Sequence, residues 1–172
     1  QGVLLYIIAL PIVWIHTHPQ DLPPAIFSIA LHLWLAGFVL ETVADRQLTL
    51  FKNDPSQKEK LLTAGLWGYV RHPNYLGELI QWWAIWLMAA PLPFGWVLVV
   101  SPLLLTFLMV KVSGVRPLEE NLLKHPEFKL YIQNTPSLIP PTLINGVLYS
   151  MAWFLLTTLG AQSSSGVSLL IL

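Results

Sequence analysis

The sequence predicts an all-α fold, a polytopic transmembrane helical bundle with about five spans in this chain. Three observations predict it. Hydrophobic residues make up 55% of the 172 positions and charged residues only 10%, whereas a soluble domain carries roughly 25% charge. Mean hydropathy is +0.62. Apolar runs free of Asp, Glu, Lys and Arg recur along the chain, several of them close to the roughly 20 residues that a helix needs to cross the hydrocarbon of a bilayer. Many of the eight tryptophans stand near the ends of these runs, as interfacial aromatics do.

The elements follow in order. Residues 3–15 are apolar but brief, either the tail of a longer span or a short segment bent at Pro11. The chain opens on Gln1 with no basic segment ahead of this run. It therefore does not read as a signal peptide, and the expectation is a chain probed from inside a longer protein, with its true N-terminus missing. Residues 22–40 form the second run, opened by Pro23-Pro24, whose fixed φ suits a helix start. The third run, 79–110, is too long for one crossing. Pro91, Pro93 and Gly95 punctuate its centre, so it predicts two helices joined by a tight turn. The last run, 138–160, precedes a Ser163-Ser164-Ser165-Gly166 loop and a short apolar end. Two domains are expected: 1–141, and an extra hydrophobic span with its tail, 142–172.

Charge patterning assigns sides. All nine basic residues fall in two stretches, Arg46 to Arg71 and Lys111 to Lys129, which the helix count places on one face. The positive-inside rule makes that face cytoplasmic. Nine Lys+Arg against nine Asp+Glu leave none of the basic footprint that nucleic acid requires, so no nucleic-acid partner is expected. The absence of cysteine excludes disulfides, thiolate nucleophiles, iron–sulfur clusters and Cys-based zinc sites. His16 and His18 have no third ligand at metal spacing, and no metal site is expected.

Three polar clusters carry the chemistry. The densest is Gly-Leu-Trp-Gly-Tyr-Val-Arg-His-Pro-Asn-Tyr-Leu-Gly-Glu over 65–78, leading into Trp82-Trp83. Pro73 suits the first turn of a helix, which puts Asn74 and Glu78 on one face at i, i+4. The helix N-terminus with Arg71 beside it offers donors and positive charge to a phosphate. Glu78, a turn inside an apolar helix, needs a polar cavity or a partner. Alternatively, Arg71 and His72 are positive-inside anchors, Tyr75 an interfacial aromatic and Glu78 their ion-pair partner. In the second cluster Glu41, Asp45 and Lys52 share one helical stripe, aimed into a cleft or toward solvent at a helix end. The third, Glu119-Glu120 through Tyr131 to Ile139-Pro140-Pro141, reads as an interfacial helix with its charges toward water.

These motifs carry a resemblance. The 65–78 block with Trp82 and Trp83, the preceding Asp45-Arg46-Gln47 and Phe51-Lys52, the later Ser101-Pro102 and Ser113-Gly114-Val115, and the tail from Tyr131 to Pro140 together resemble the steroid 5-alpha-reductase C-terminal family. The likeness is nearest to its bacterial branch of unassigned function and covers roughly residues 1–141. Arg-His-Pro-Asn-Tyr also recurs across a wider superfamily that holds Delta-14 sterol reductases and isoprenylcysteine or phospholipid methyltransferases. The resemblance implies a multi-pass protein, of the inner membrane in a bacterium, that uses NADPH to reduce the double bond of an enone-like steroid or lipid. Its cofactor residues would be Asp45, Lys52, Arg71, His72, Asn74, Tyr75, Glu78, Glu120 and Tyr131. Of these, Asn74 and Glu78 correspond to the nicotinamide side and Arg71 and Tyr75 to the phosphate side. The family's catalytic acid and tyrosine lie in upstream helices without a counterpart here, so catalytic residues are unassigned. The runner-up is methyl transfer from S-adenosylmethionine to a lipid or prenylated substrate, because the methyltransferase relatives share the Arg-His-Pro-x-Tyr motif and an acidic pair like Glu119-Glu120. A non-enzymatic membrane scaffold is a third reading.

Overall fold

The computed structural model describes residues 2–19, 22–58 and 60–139. Contacts divide the chain into Gln1–Leu138 and Ile139–Leu172. The predicted span over 138–160, and with it the expected domain 142–172, lies almost wholly outside the described residues. Within them every regular element is helical: α1 (Gly2–Thr17), α2 (Pro24–Asn53), α3 (Pro73–Ala89), α4 (Val100–Phe107), α5 (Val115–Leu122) and α6 (Phe128–Asn134), joined by short 3₁₀ and π turns.

Two helical stretches are long and apolar enough to cross a membrane, Pro24–Asn53 and the run Gly95–Leu122 that contains α4 and α5. At 30 residues and 1.5 Å per residue, α2 is about 45 Å long. It starts on Pro24, with Pro23 as its N-cap, and continues well past the end of the apolar run. Glu41, Asp45 and Lys52 are therefore helical, on the last turns of α2. The long apolar run 79–110 does split in two. α3 ends at Ala89, the chain turns through Pro91 to Phe94, and helix resumes at Gly95. Pro73 stands at the first turn of α3, where its missing N–H leaves no bond unmade.

α2 and α3 make the most extensive helix–helix contact among the described residues, and small residues allow it. A Cβ on Gly77 would lie 2.6 Å from both the Gly37 carbonyl oxygen and the Glu41 backbone nitrogen. Glycine at 37 and 77 therefore sets the separation of the helices that carry the polar clusters. On the other side, α1 docks against α4: the buried Ser101 hydroxyl donates to the Ile8 carbonyl at 2.6 Å. The Trp14 indole donates to the Pro93 carbonyl at 2.9 Å, so the end of α1 and the Pro91–Gly95 turn share one end of the bundle.

The expected single interfacial helix is two short ones. α5 ends at Leu122 and α6 starts at Phe128, with Pro126, which has no N–H to continue a helix, in the connection between them. Phe128 follows the break and is buried, anchoring α6.

Candidate functional site

The site gathers at the end of the bundle opposite the Pro91–Gly95 turn. Its floor is the loop leading to α3. Gly65 takes a left-handed φ of 63°, which only glycine adopts without strain. That turns the chain so that Leu66 N–H donates to Gln47 Oε1 at 3.1 Å. Trp67 then donates its indole N–H to the Ala44 carbonyl at 3.2 Å and accepts on its own carbonyl from Tyr131 Oη at 2.5 Å. The loop is thus tied to α2 on one side and α6 on the other.

Above this floor opens a cleft of about 860 Å³, within the range of small-molecule sites. Its walls mix three chemistries. Lys52, Lys58 and Lys60 supply cations, Phe51, Trp67, Tyr75 and Tyr131 supply ring surface, and Asn53, Asn74 and Asn121 supply amides. That set fits an elongated, anionic, ring-bearing ligand such as a dinucleotide.

Most of the predicted site residues meet here. Lys52, Arg71, His72, Asn74, Tyr75 and Tyr131 line the cleft. Asp45 stands behind it and accepts from the Asn74 side-chain nitrogen at 3.0 Å. This bond fixes the amide, since the carboxylate can only accept and Asn74 must turn its nitrogen toward it. Asn74 Oδ1 is consequently buried without a protein partner, an acceptor waiting for a donor. Glu78 does not line the cleft; it lies one turn deeper on α3, in the electrostatic field of Glu41 and Asp45. Glu41 is itself engaged by the Gln81 amide at 2.5 Å.

Two further expectations change. Glu120 is not brought to the cleft: it is 61% exposed and pairs with Arg116 at 2.8 Å, i, i+4 along α5. Its neighbour Glu119 takes the inward position, because successive helical residues point about 100° apart. Arg71 is already committed as well. Its Nε and Nη2 donate to the two Glu119 oxygens at 2.9 Å and 3.2 Å, and Nη1 donates to the Ile132 carbonyl at 3.3 Å and to the Thr135 carbonyl. Four of its five N–H groups are spent on protein, so Arg71 does not present an open fork to a phosphate.

His72 Nε2 donates to Glu119 Oε1 at 2.9 Å, while its ring stacks on Tyr75 with centroids 5.6 Å apart. Burial pushes the imidazole below the usual histidine range and Arg71 adds to this, outweighing the opposing hydrogen bond and charge of Glu119. Burial likewise pushes the Tyr131 phenol up to about 12, keeping it a donor to Trp67. Sequence reasoning missed Glu119, Gln47 and Trp67 as parts of the site. One available signal was the i, i+4 pairing of Arg116 with Glu120, which leaves Glu119 as the free carboxylate for a buried arginine.

Residues 1–135 match the sequence family described as "Protein of unknown function (DUF1295)". The chain belongs to that family. The likeness read from the 65–78 block holds with it, for this DUF1295 chain is similar to Delta(14)-sterol reductases. It is 34% identical to TM7SF2 of Mus musculus over 79 aligned positions, covering 38% of this chain and 18% of the mouse protein. For the Schizosaccharomyces pombe reductase erg24 the identity is 35% over 97 positions, 46% of this chain and 23% of the relative. A bacterial one, from Methylotuvimicrobium alcaliphilum, is 32% identical over 107 positions, 52% of this chain and 25% of the relative. The DUF1295 chain thus spans a quarter or less of each of these relatives. No solved structure matches it.

Proposed function

We propose that this protein is an integral membrane reductase that uses NADPH to reduce a carbon–carbon double bond of a conjugated, enone-like steroid or lipid. The cofactor is held in the cleft at the cytoplasmic end of the bundle. The observation that carries this reading is Asn74 itself, a residue of the cleft wall whose amide is oriented by Asp45 and whose buried Oδ1 has no protein partner. An acceptor there, with the Glu78 carboxylate on the same helix face, suits the NH₂ of a nicotinamide carboxamide. The lysines suit the phosphates and the ring-bearing walls the adenine.

NADPH, when bound, supplies the hydride. The chain's own groups bind and orient: Asp45 holds Asn74, Tyr131 and Gln47 hold the Trp67 loop, and Lys52, Lys58 and Lys60 offer positive charge to an anionic ligand. A lipid substrate is in keeping with the reductases this chain resembles and with the long apolar faces of α2 and α4, where Phe27, Leu31, Leu35, Phe38, Leu103 and Phe107 are exposed. Such faces belong in hydrocarbon rather than water.

Isothermal titration of the detergent-purified protein with NADPH and, separately, with S-adenosylmethionine tests the reading, repeated on Glu78→Gln and Asn74→Ala. Saturable NADPH binding that both variants weaken supports the reductase. Binding of S-adenosylmethionine alone moves the protein to methyl transfer, and binding of neither leaves the scaffold reading.

A further inference from the structure

One carboxylate ties together segments that lie far apart in sequence. Glu119 on α5 accepts twice from Arg71, once from His72 and once from the Ser137 hydroxyl at 3.4 Å. Arg71 extends the connection to the Ile132 and Thr135 carbonyls. Beside it the backbones pair, Arg71 N–H with the Pro136 carbonyl at 2.9 Å and His72 N–H with the Ser137 carbonyl at 3.1 Å. Residues 135–137 are thereby laid along 71–72. The Arg71 side chain is 9% exposed and that of Glu119 20%, so water competes little for these bonds.

The same α5–α6 unit supplies Leu118, Asn121, Phe128 and Tyr131 to the cleft wall. Helices of eight and seven residues are too short to persist alone, so their position depends on what holds them to α3. Arg71 neutralised by Glu119 adds little net field for an anionic ligand, whereas Lys52, Lys58 and Lys60 line the cleft outside any ion pair among the described residues, with Asp54 on the same wall in the field of Lys60.

We propose that Glu119, acting through Arg71 and His72, is a positioning residue that fixes the α5–α6 wall of the cleft, and that Arg71 serves this clasp rather than a ligand phosphate. The clasp stands on geometry alone; its consequence for affinity rests on the cofactor reading above.

The test compares Glu119→Gln, Glu119→Asp, Arg71→Lys and the double variant Glu119→Gln/Arg71→Lys, by titration with NADPH and with NADH and by amide hydrogen exchange. Glu119→Gln and Arg71→Lys each weaken both dinucleotides by the same factor, about tenfold, and the double variant is no weaker than the weaker single, as expected of residues acting as one unit. Glu119→Asp, which keeps the charge, returns affinity to within about threefold of wild type. Exchange rises across 115–137 and stays unchanged over 24–53. A loss confined to NADPH, or losses that multiply in the double variant, would place Arg71 on the 2′-phosphate and overturn the proposal. Equal losses in Glu119→Asp and Glu119→Gln would overturn the part played by the charge. If the wild type binds neither dinucleotide, the cofactor reading fails and exchange decides the clasp by itself: faster exchange at 115–137 in Glu119→Gln supports it, and unchanged protection there ends it.

Discussion

The Asn74 side chain donates to Asp45 at 3.0 Å, across the contact between the first turn of α3 and the late turns of α2. On the proposed cofactor reading, removing the amide as Asn74→Ala takes an acceptor from the nicotinamide side, and NADPH affinity is expected to fall about tenfold, or about 1.4 kcal/mol. Asn74→Asp falls further, because it sets a second carboxylate against Asp45. Titration of the two variants measures the order, and a tighter-binding Asn74→Asp would contradict the assignment.

Gly77→Ala forces a Cβ against two backbone atoms at 2.6 Å, neither of which can rotate away. The variant is destabilised by about 1–3 kcal/mol, read as a lowered Tm in detergent. Gly37→Ala has a similar effect through the same contact, since its Cβ would lie 2.6 Å from the Gly77 carbonyl. The double variant loses less than the sum, since one widened crossing accommodates both.

The buried His72 gives stability a pH dependence. Its folded pKa lies below its ordinary value of 6.5, so the unfolded chain takes up a proton first as pH falls. Stability is complete above 6.5 and is lost as pH drops from there through the folded pKa. Tm measured from about pH 7.5 down to about pH 5.5 declines in the wild type. In His72→Gln the decline is shallower, and a wild-type Tm that rises on acidification over this window would reverse the sign.

Three lysines on one cleft make ligand affinity sensitive to salt. NADPH affinity weakens steadily with ionic strength, and Lys52→Ala costs about tenfold for NADPH and less for NADH. Indifference of NADPH binding to both salt and Lys52→Ala would remove the lysines from the phosphate role.

The chain lacks cysteine, which offers a clean background for topology. Lys58→Cys, on the charged end, reacts with a membrane-impermeant maleimide only when the cytoplasmic side is open. His16→Cys, at the end of α1, reacts from the opposite side. Labelling of both from one side would refute the assigned orientation.

Much of this protein was legible in the sequence, because the signals were one-dimensional. Uncharged runs gave the long helices α2 and α3 and the split at Pro91–Gly95; Pro73 marked the start of α3; the 65–78 block gave the family and four of the cleft residues, Arg71, His72, Asn74 and Tyr75. These rest on composition, helical period and backbone chemistry, which act over a few residues. Tertiary structure decided what depends on partners distant in sequence. It chose Glu119 over Glu120 as the inward acid, since adjacent helical positions differ only by rotation and a buried arginine 48 residues away selects between them. It also turned Arg71 from an open anion ligand into the centre of a clasp, and left Asn74 Oδ1 unpaired because Asp45 claimed the other half of the amide. Local pattern says which groups can make hydrogen bonds; only packing says which of them are already made.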